Sequence, residues 1–162
     1  MRLNGYEKQV RLENLAVSDG SCDRLLLFPG RGHSSFEWNI VGHDVKGNRT
    51  EPELEVAATC LDAYFPPGSR LNFVKVDVEG AEALVLRGMR RLLRETRPVV
   101  VVEFHDENGW AGRKELFAAG YYPYDMHGRR VDPVHDIRRL YHCLALPQEM
   151  TQLKSNLEMC NR

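Results

Sequence analysis

No stretch of this 162-residue chain stays apolar for the roughly 20 consecutive residues that a membrane-spanning helix needs, so no membrane partner is expected. Nor does charge of either sign dominate. Lys and Arg number 22 against 23 Asp and Glu, a formal net charge of -1. Without a basic surplus, neither nucleic acid nor an anionic lipid surface is an expected partner. Paired cysteines are also missing. Cys22, Cys60, Cys143 and Cys160 contain no CxxC spacing, which reads as reduced thiols in a cytoplasmic protein, not as a disulfide or zinc framework. Met1 to Lys8 leads into no apolar core and does not read as a secretory leader. His33, His43, His127, His135 and His142 have no metal-ligand spacing among themselves. They are expected on the surface or in loops, and no metal is assigned from the sequence. Gly30-Arg31-Gly32 lacks the third glycine and the following helix of a phosphate loop, and reads as a flexible turn.

What is present is an ordinary globular composition, 43% hydrophobic and 28% charged. The length suits one domain, read here as residues 1–147, with a polar tail over 148–162 that forms at most a short helix. Val10 to Val17 reads as a strand closed by a polar turn, and Arg24 to Phe28 as a second short strand. Residues 29–52 read as a long loop with one weak strand at most. Glu55 to Leu61 is strand-like, and Leu61 to Phe65 is one helical turn stopped by Pro66. Leu71 to Val76 is a clear strand. From Ala81 to Arg94 the apolar residues recur at helical spacing, with Arg87, Arg90, Arg91 and Arg94 on a face expected to be solvated. Val99 to Val102 is an unbroken β-branched run that suits a strand covered on both faces. Asn108 to Ala119 predicts a helix capped by Gly120, and Tyr121 to Met126 and Leu140 to Leu146 predict two final strands. Tyr121, Tyr122 and Tyr124 are read as packing residues. The order is that of an α/β domain with a largely parallel sheet.

In such sheets ligands bind beyond the carboxyl ends of the strands. Asp77 and Glu79 close one strand, and Glu103, His105 and Asp106 close the next. One helix joins the two strands, so a right-handed crossover sets Asp77 and Glu103 on the same rim, with His105 just beyond it and Glu79 at the helix entrance. Two acids and an imidazole can serve as base, orienter or cation ligand. The plainer alternative for Asp77 and Glu79 is that they cap the helix and favour its positive end. Glu103 resists that explanation, because an acid after four valines is costly to bury without a partner.

The run LNFVKVDVEGAEALVLRGMRRLL followed by RPVVVVEFH resembles the signature of the FkbM family of S-adenosylmethionine-dependent methyltransferases. The matching positions are Lys75, Asp77, Glu79, Gly80 and Glu82, then Val85, Leu86 and Gly88, then Pro98 and Glu103. Weaker likeness runs through Leu3-Asn4-Gly5, Leu15 to Asp19 and Thr59 to Asp62. The resemblance implies a Rossmann-like methyltransferase sheet with strands in the order 3-2-1-4-5-7-6, mostly parallel with an antiparallel C-terminal strand. Val10 to Val17 would be strand 3, Leu71 to Val76 strand 4, Val99 to Phe104 strand 5, and the last two candidates strands 6 and 7. The family's first two strands and its glycine-rich turn have no counterpart in these residues. The expected sheet is therefore incomplete, with weak or no cofactor binding by the chain alone. Its open strand-4 edge would be covered by a partner chain, by a second copy in a homo-oligomer, or by strand 3 moving against strand 4.

The resemblance further implies O-methylation of a small-molecule or sugar hydroxyl with S-adenosylmethionine as cofactor. Asp19 would lie near the adenine, and Asp77 near the methionine part and the transferring methyl. His105 would be the base, Glu103 its orienter, and Glu79 would secure the turn or a cation. Two other readings stay open. One is a non-catalytic methyltransferase-like interaction module or degenerate fragment. The other is a metal-dependent hydrolase built on the same acids.

Overall fold

The computed structural model describes residues 5–29, 38–39, 54–105, 107–131 and 141–150. Its elements in chain order are β1 (Ala16–Val17), β2 (Arg24–Pro29), β3 (Trp38–Asn39), β4 (Leu54–Thr59) and α1 (Leu61–Tyr64). Then come β5 (Phe73–Val76), α2 (Glu82–Arg87), α3 (Arg90–Glu95) and β6 (Val99–Glu103). The last are α4 (Glu107–Ala111), α5 (Arg113–Ala118), β7 (Tyr121–Tyr124) and β8 (His142–Pro147). Gly30-Arg31-Gly32, His33, His43, His135, Asp106 and the tail from residue 151 lie outside the described residues.

The strands form two four-stranded sheets, ordered β1-β4-β2-β3 and β5-β6-β8-β7. In the second, β5 and β6 are parallel, and β8 runs antiparallel between β6 and β7. With β5 to β8 taken as strands 4 to 7, this is the 4-5-7-6 order expected of that half. The first sheet departs from expectation. Only β1–β4 is parallel there, while β2 is antiparallel to both β4 and β3. The long strand expected over Val10 to Val17 shrinks to Ala16–Val17, because Val10, Leu12 and Leu15 are exposed and have no ladder to join. Nor does β1 move against β5. It pairs with β4, Ala16 opposite Ala58, and the Ser18 N–H donates to the Thr59 carbonyl at 2.8 Å. Among the described residues the outer edge of β5 pairs with no strand.

One core holds the second sheet to its helices. Val76, Val100 and Val102 meet Val85, Leu86, Met89, Leu92 and Leu93, with Phe104, Leu116, Tyr121 and Ala145 around them. Each fully buried aliphatic side chain contributes about 1.5–3 kcal/mol. The valine run is covered less evenly than expected: Val100 and Val102 are fully buried, Val99 and Val101 only partly. Tyr121 donates its hydroxyl hydrogen bond to the buried Pro98 carbonyl at 2.9 Å, so it packs as expected.

The single helix expected over Ala81 to Arg94 is two helices that break at Gly88. A Cβ at Gly88 would lie 2.1 Å from the Ser18 carbonyl oxygen. The chain at the end of β1 therefore presses directly on the backbone between α2 and α3. Asp62 restarts the helix by accepting from the N–H groups of Arg91 (2.8 Å) and Leu92 (3.0 Å), satisfying donors that a helix start leaves free. A similar contact divides α4 from α5, where a Cβ at Gly112 would come within 2.7 Å of the Ala83 Cα. Gly120 has φ +74 directly after the last turn of α5, the left-handed stop that the sequence predicts.

The arginine face is exposed at Arg87, Arg90 and Arg94, as expected, with Arg91 half-buried, and three of the four also find partners. Arg87 donates to Asp19 at 3.0 Å, and Arg90 makes a bidentate pair with the buried Glu115 at 2.6 and 2.7 Å. Arg91 donates to the carbonyls of Asp62 (2.8 Å) and Phe65. Helix ends near open loops leave carbonyls and carboxylates that guanidinium forks match better than water does. The hydrogen bond from Arg90 holds the Glu115 carboxyl below the usual range, against the opposing effect of burial, with the Arg90 charge adding to it.

Two outcomes follow. Replacing Gly88 with Ala forces the helix junction off Ser18 and lowers stability by about 1–3 kcal/mol or more, read from the urea midpoint. A change below about 0.5 kcal/mol would contradict the close approach. A depressed carboxyl stabilises the fold above its unfolded value, and that gain is lost as pH falls through its folded value. Glu115→Gln should therefore lower the urea midpoint at pH 7, and the gap from wild type should narrow at pH 3. An equal gap at both would refute the ion pair's contribution.

Candidate active site at the ends of β5 and β6

In the parallel β5–β6 ladder Val76 stands opposite Val102. Asp77, just past the end of β5, and Glu103, the last residue of β6, therefore stand side by side at the sheet's carboxyl edge, as the sequence predicts. Beyond Asp77 the chain turns through two consecutive left-handed residues, Glu79 with φ +49 and Gly80 with φ +97. The second is free for glycine. The first costs a glutamate about 1–3 kcal/mol and persists only where its surroundings hold it. The turn drops directly into α2, whose first residue is Glu82.

Glu82 is fully buried. Its Oε1 accepts from the Gly80 N–H at 3.0 Å and pairs with His105 Nδ1 at 2.7 Å. A carboxylate accepts, so Nδ1 carries the proton and Nε2 turns toward the other acids. Nε2 lies 3.4 Å from Glu79 Oε1, 3.5 Å from Glu103 Oε1 and 3.9 Å from Asp77 Oδ1. The outer oxygens of two of these acids are already held. Lys75 donates to Asp77 Oδ2, and His142 Nε2 meets Glu103 Oε2 at 3.1 Å. The β6–β8 register sets Glu103 opposite His142. The Tyr141 ring meets His105 edge-on, centroids 5.5 Å apart. Glu82 Oε2 finds no hydrogen-bond partner among the described residues.

Burial opposes the charged imidazole, but the hydrogen bond to Glu82 and the charges of Glu79, Glu82 and Glu103 outweigh it. The pKa of His105 is raised. The cluster deepens in steps: the Asp77 and Glu79 side chains are about two-fifths exposed, Glu103 and His105 less than one-fifth, and Glu82 is closed off beneath. Such a group can take up a proton or a cation from the solvent side and orient what it binds.

Four of the residues singled out from the sequence, Asp77, Glu79, Glu103 and His105, thus come together. The helix-cap alternative for Asp77 and Glu79 finds no support in the N-cap of α2, which is Ala81 without a side-chain bond. Asp19 makes its hydrogen bonds outside the cluster. Its Oδ1 accepts from the Ser21 N–H and its Oδ2 from Arg87, both at 3.0 Å. The Ser21 bond holds the carboxyl low despite burial, with Arg87 adding to it. Two members were missed. Glu82 stands in the matched pattern but reads there as one more acid in a first helical turn. His142 needs the antiparallel register before it can be placed. A separate recess of about 390 Å³ lies against β1 and α1, lined by Leu15, Val17, Thr59, Tyr64 and Phe65, and the cluster takes no part in it.

The family model described as the methyltransferase FkbM domain matches residues 4–153. No curated protein and no solved structure matches the chain. With that match running from before β1 to beyond β8, through the Asp77–Glu103–His105 rim, the chain belongs to the FkbM methyltransferase family.

Proposed function

We propose that the chain transfers a methyl group from S-adenosylmethionine to a hydroxyl of a small molecule or sugar, at the rim formed by Asp77, Glu79, Glu103 and His105. The reading is supported above all by the β5–β6 register, which brings both carboxylates and the imidazole to one sheet edge. The β5-β6-β8-β7 order supports a Rossmann-like methyltransferase sheet around it.

A methyltransferase needs a methyl donor, and the residues here suit this one. S-Adenosylmethionine carries an ammonium and a sulfonium, and supplies an electrophilic methyl on that sulfur. Carboxylates complement both positive charges. Asp77 is the residue for the methionine end. Asp19 is the residue for the adenine side, acting as a fixed wall, because Ser21 and Arg87 already hold its two oxygens.

The acceptor oxygen must be aligned with the methyl at about 3 Å and must lose its proton as it attacks. His105 Nε2 takes that proton. Glu82 fixes the ring through Nδ1, and Glu103 with Glu79 stabilises the imidazolium that forms. Glu79 also secures the left-handed turn. No helix among the described residues is long and apolar enough to cross a membrane. Cys22, Cys60 and Cys143 are free thiols, which suits a cytoplasmic enzyme.

The test is methyl transfer from labelled donor to a panel of hydroxyl acceptors. His105→Ala and His105→Gln should lower turnover by about 10²–10⁴-fold with little change in donor affinity. Equal losses in both would overturn the role of His105, and no transfer to any hydroxyl would overturn the reading.

A second reading, an interaction module, is favoured by the outer edge of β5. That edge pairs with no strand among the described residues, and Phe73 on it is 56% exposed. Such an edge invites strand addition by a second copy or a partner chain. If the edge binds a second copy, light scattering reports a dimer that Phe73→Asp dissociates. A monomer at all concentrations would refute self-association.

A further inference from the structure

We infer that Asp77, Glu103 and His105 form a binding site for a divalent first-row cation of the Mn²⁺ or Zn²⁺ kind. Each offers one ligand atom, and the three atoms lie within 4.8 Å of one another. The two measured separations from His105 Nε2 are 3.5 Å to Glu103 Oε1 and 3.9 Å to Asp77 Oδ1. Both exceed hydrogen-bond length. Ligand atoms sharing one cation at about 2.1 Å stand roughly 3.0–3.4 Å apart, so three atoms that lie within 4.8 Å of one another would draw together by side-chain shifts on the order of 1 Å.

Three further features point to a cation instead of a chance gathering of acids. The first is orientation. Lys75 and His142 hold the outer oxygens of Asp77 and Glu103, and the inner oxygens Oδ1 and Oε1 are the ones nearest Nε2. The second lies behind the imidazole. Metal-binding histidines almost always give their other ring N–H to a carboxylate or carbonyl, which fixes the tautomer and raises the basicity of the free nitrogen. Glu82 supplies that carboxylate at 2.7 Å. It is fully buried, turned into the cluster, and left with one oxygen unpartnered among the described residues. The third is charge. Asp77, Glu79, Glu82 and Glu103 converge on His105, while Lys75 and His142 touch only the rim. A buried carboxylate without full compensation is costly, and a dication offsets it. One nitrogen with two carboxylate oxygens suits borderline first-row ions better than Ca²⁺, and leaves open positions for a hydroxyl.

The role of the cation rests on the methyl-transfer reading; its binding does not. Bound beside the donor, it would hold the acceptor hydroxyl and lower its pKa. Nε2 has one lone pair, so His105 is the base only in the cation-free site and does not also take the proton when it ligates a cation. Glu79, 3.4 Å from Nε2 and outside the three ligands, then receives it.

The experiment is titration of the chelator-stripped protein with Mn²⁺, followed by calorimetry and electron paramagnetic resonance, with Zn²⁺, Mg²⁺ and Ca²⁺ in parallel. One Mn²⁺ per chain is expected, with nitrogen coupling that disappears in His105→Ala. Asp77→Asn and Glu103→Gln should each weaken binding more than 10-fold, and Glu82→Gln by about 10–100-fold because it no longer holds the His105 ring through Nδ1. Circular dichroism confirms that each variant is folded. Saturating Mn²⁺ or Zn²⁺ without detectable binding overturns the site, as does binding that folded Asp77→Asn and Glu103→Gln leave unchanged. Mapped cation binding without methyl transfer to any hydroxyl keeps the site and overturns the reading in which it acts. Methyl transfer by a protein that binds no cation does the reverse.

Discussion

The parallel pairing of β5 with β6 governs the site. With Val76 opposite Val102, Asp77 and Glu103 reach the sheet's carboxyl edge together, and His105 follows at the same edge. A one-residue slip would turn every side chain of β5 to the other face, burying Asp77 and expelling Val76 from the core. Val76, Val100 and Val102 are all buried in one cluster, so the apolar packing that stabilises the fold also fixes the register. Core and site are specified by the same ladder.

The return path of the chain is specified less by propensity than by contact. Glu79 and Gly80 both have positive φ, which compresses the exit from β5 and starts α2 early enough to bring Glu82 beneath His105. The far end of α2 is set by Ser18, whose carbonyl occupies the space that a Cβ at residue 88 would need. Arg87 then pairs with Asp19, and Asp62 caps α3. Three short polar links therefore tie the end of the first sheet to the helices that carry the site, and glycine at position 88 lets them close.

Much of this was legible in the sequence where local pattern decides. The β-branched run, the helical spacing after Gly80, and two acids each one step beyond a strand end place the rim without coordinates. The 4-5-7-6 strand order was legible only through family likeness, since periodicity says nothing about order. What escaped depends on distant partners. Val10 to Leu15 alternates like a strand but has no ladder to join. The helix breaks at Gly88 because of a carbonyl seventy residues earlier in the chain. Arg87 and Arg90 are exposed as the spacing implies, but their partners Asp19 and Glu115, and the Asp62 carbonyl that Arg91 meets, come from distant segments. Glu82 and His142 gain their meaning only from His105 and Glu103.

The electrostatics give these observations one direction. Two like charges about 4 Å apart repel by roughly 4 kcal/mol at an effective dielectric near 20. Four carboxylates meet at one imidazole here, and the deepest of them, Glu82, is shielded from water. Lys75 and His142 relieve only the outer oxygens. The fold therefore gathers four acids around one imidazole, held by the strained turn at Glu79 and the core beneath. Such an arrangement is stable in proportion to the positive charge it receives. A proton on His105 is one such charge, and the raised pKa of the imidazole is its signature.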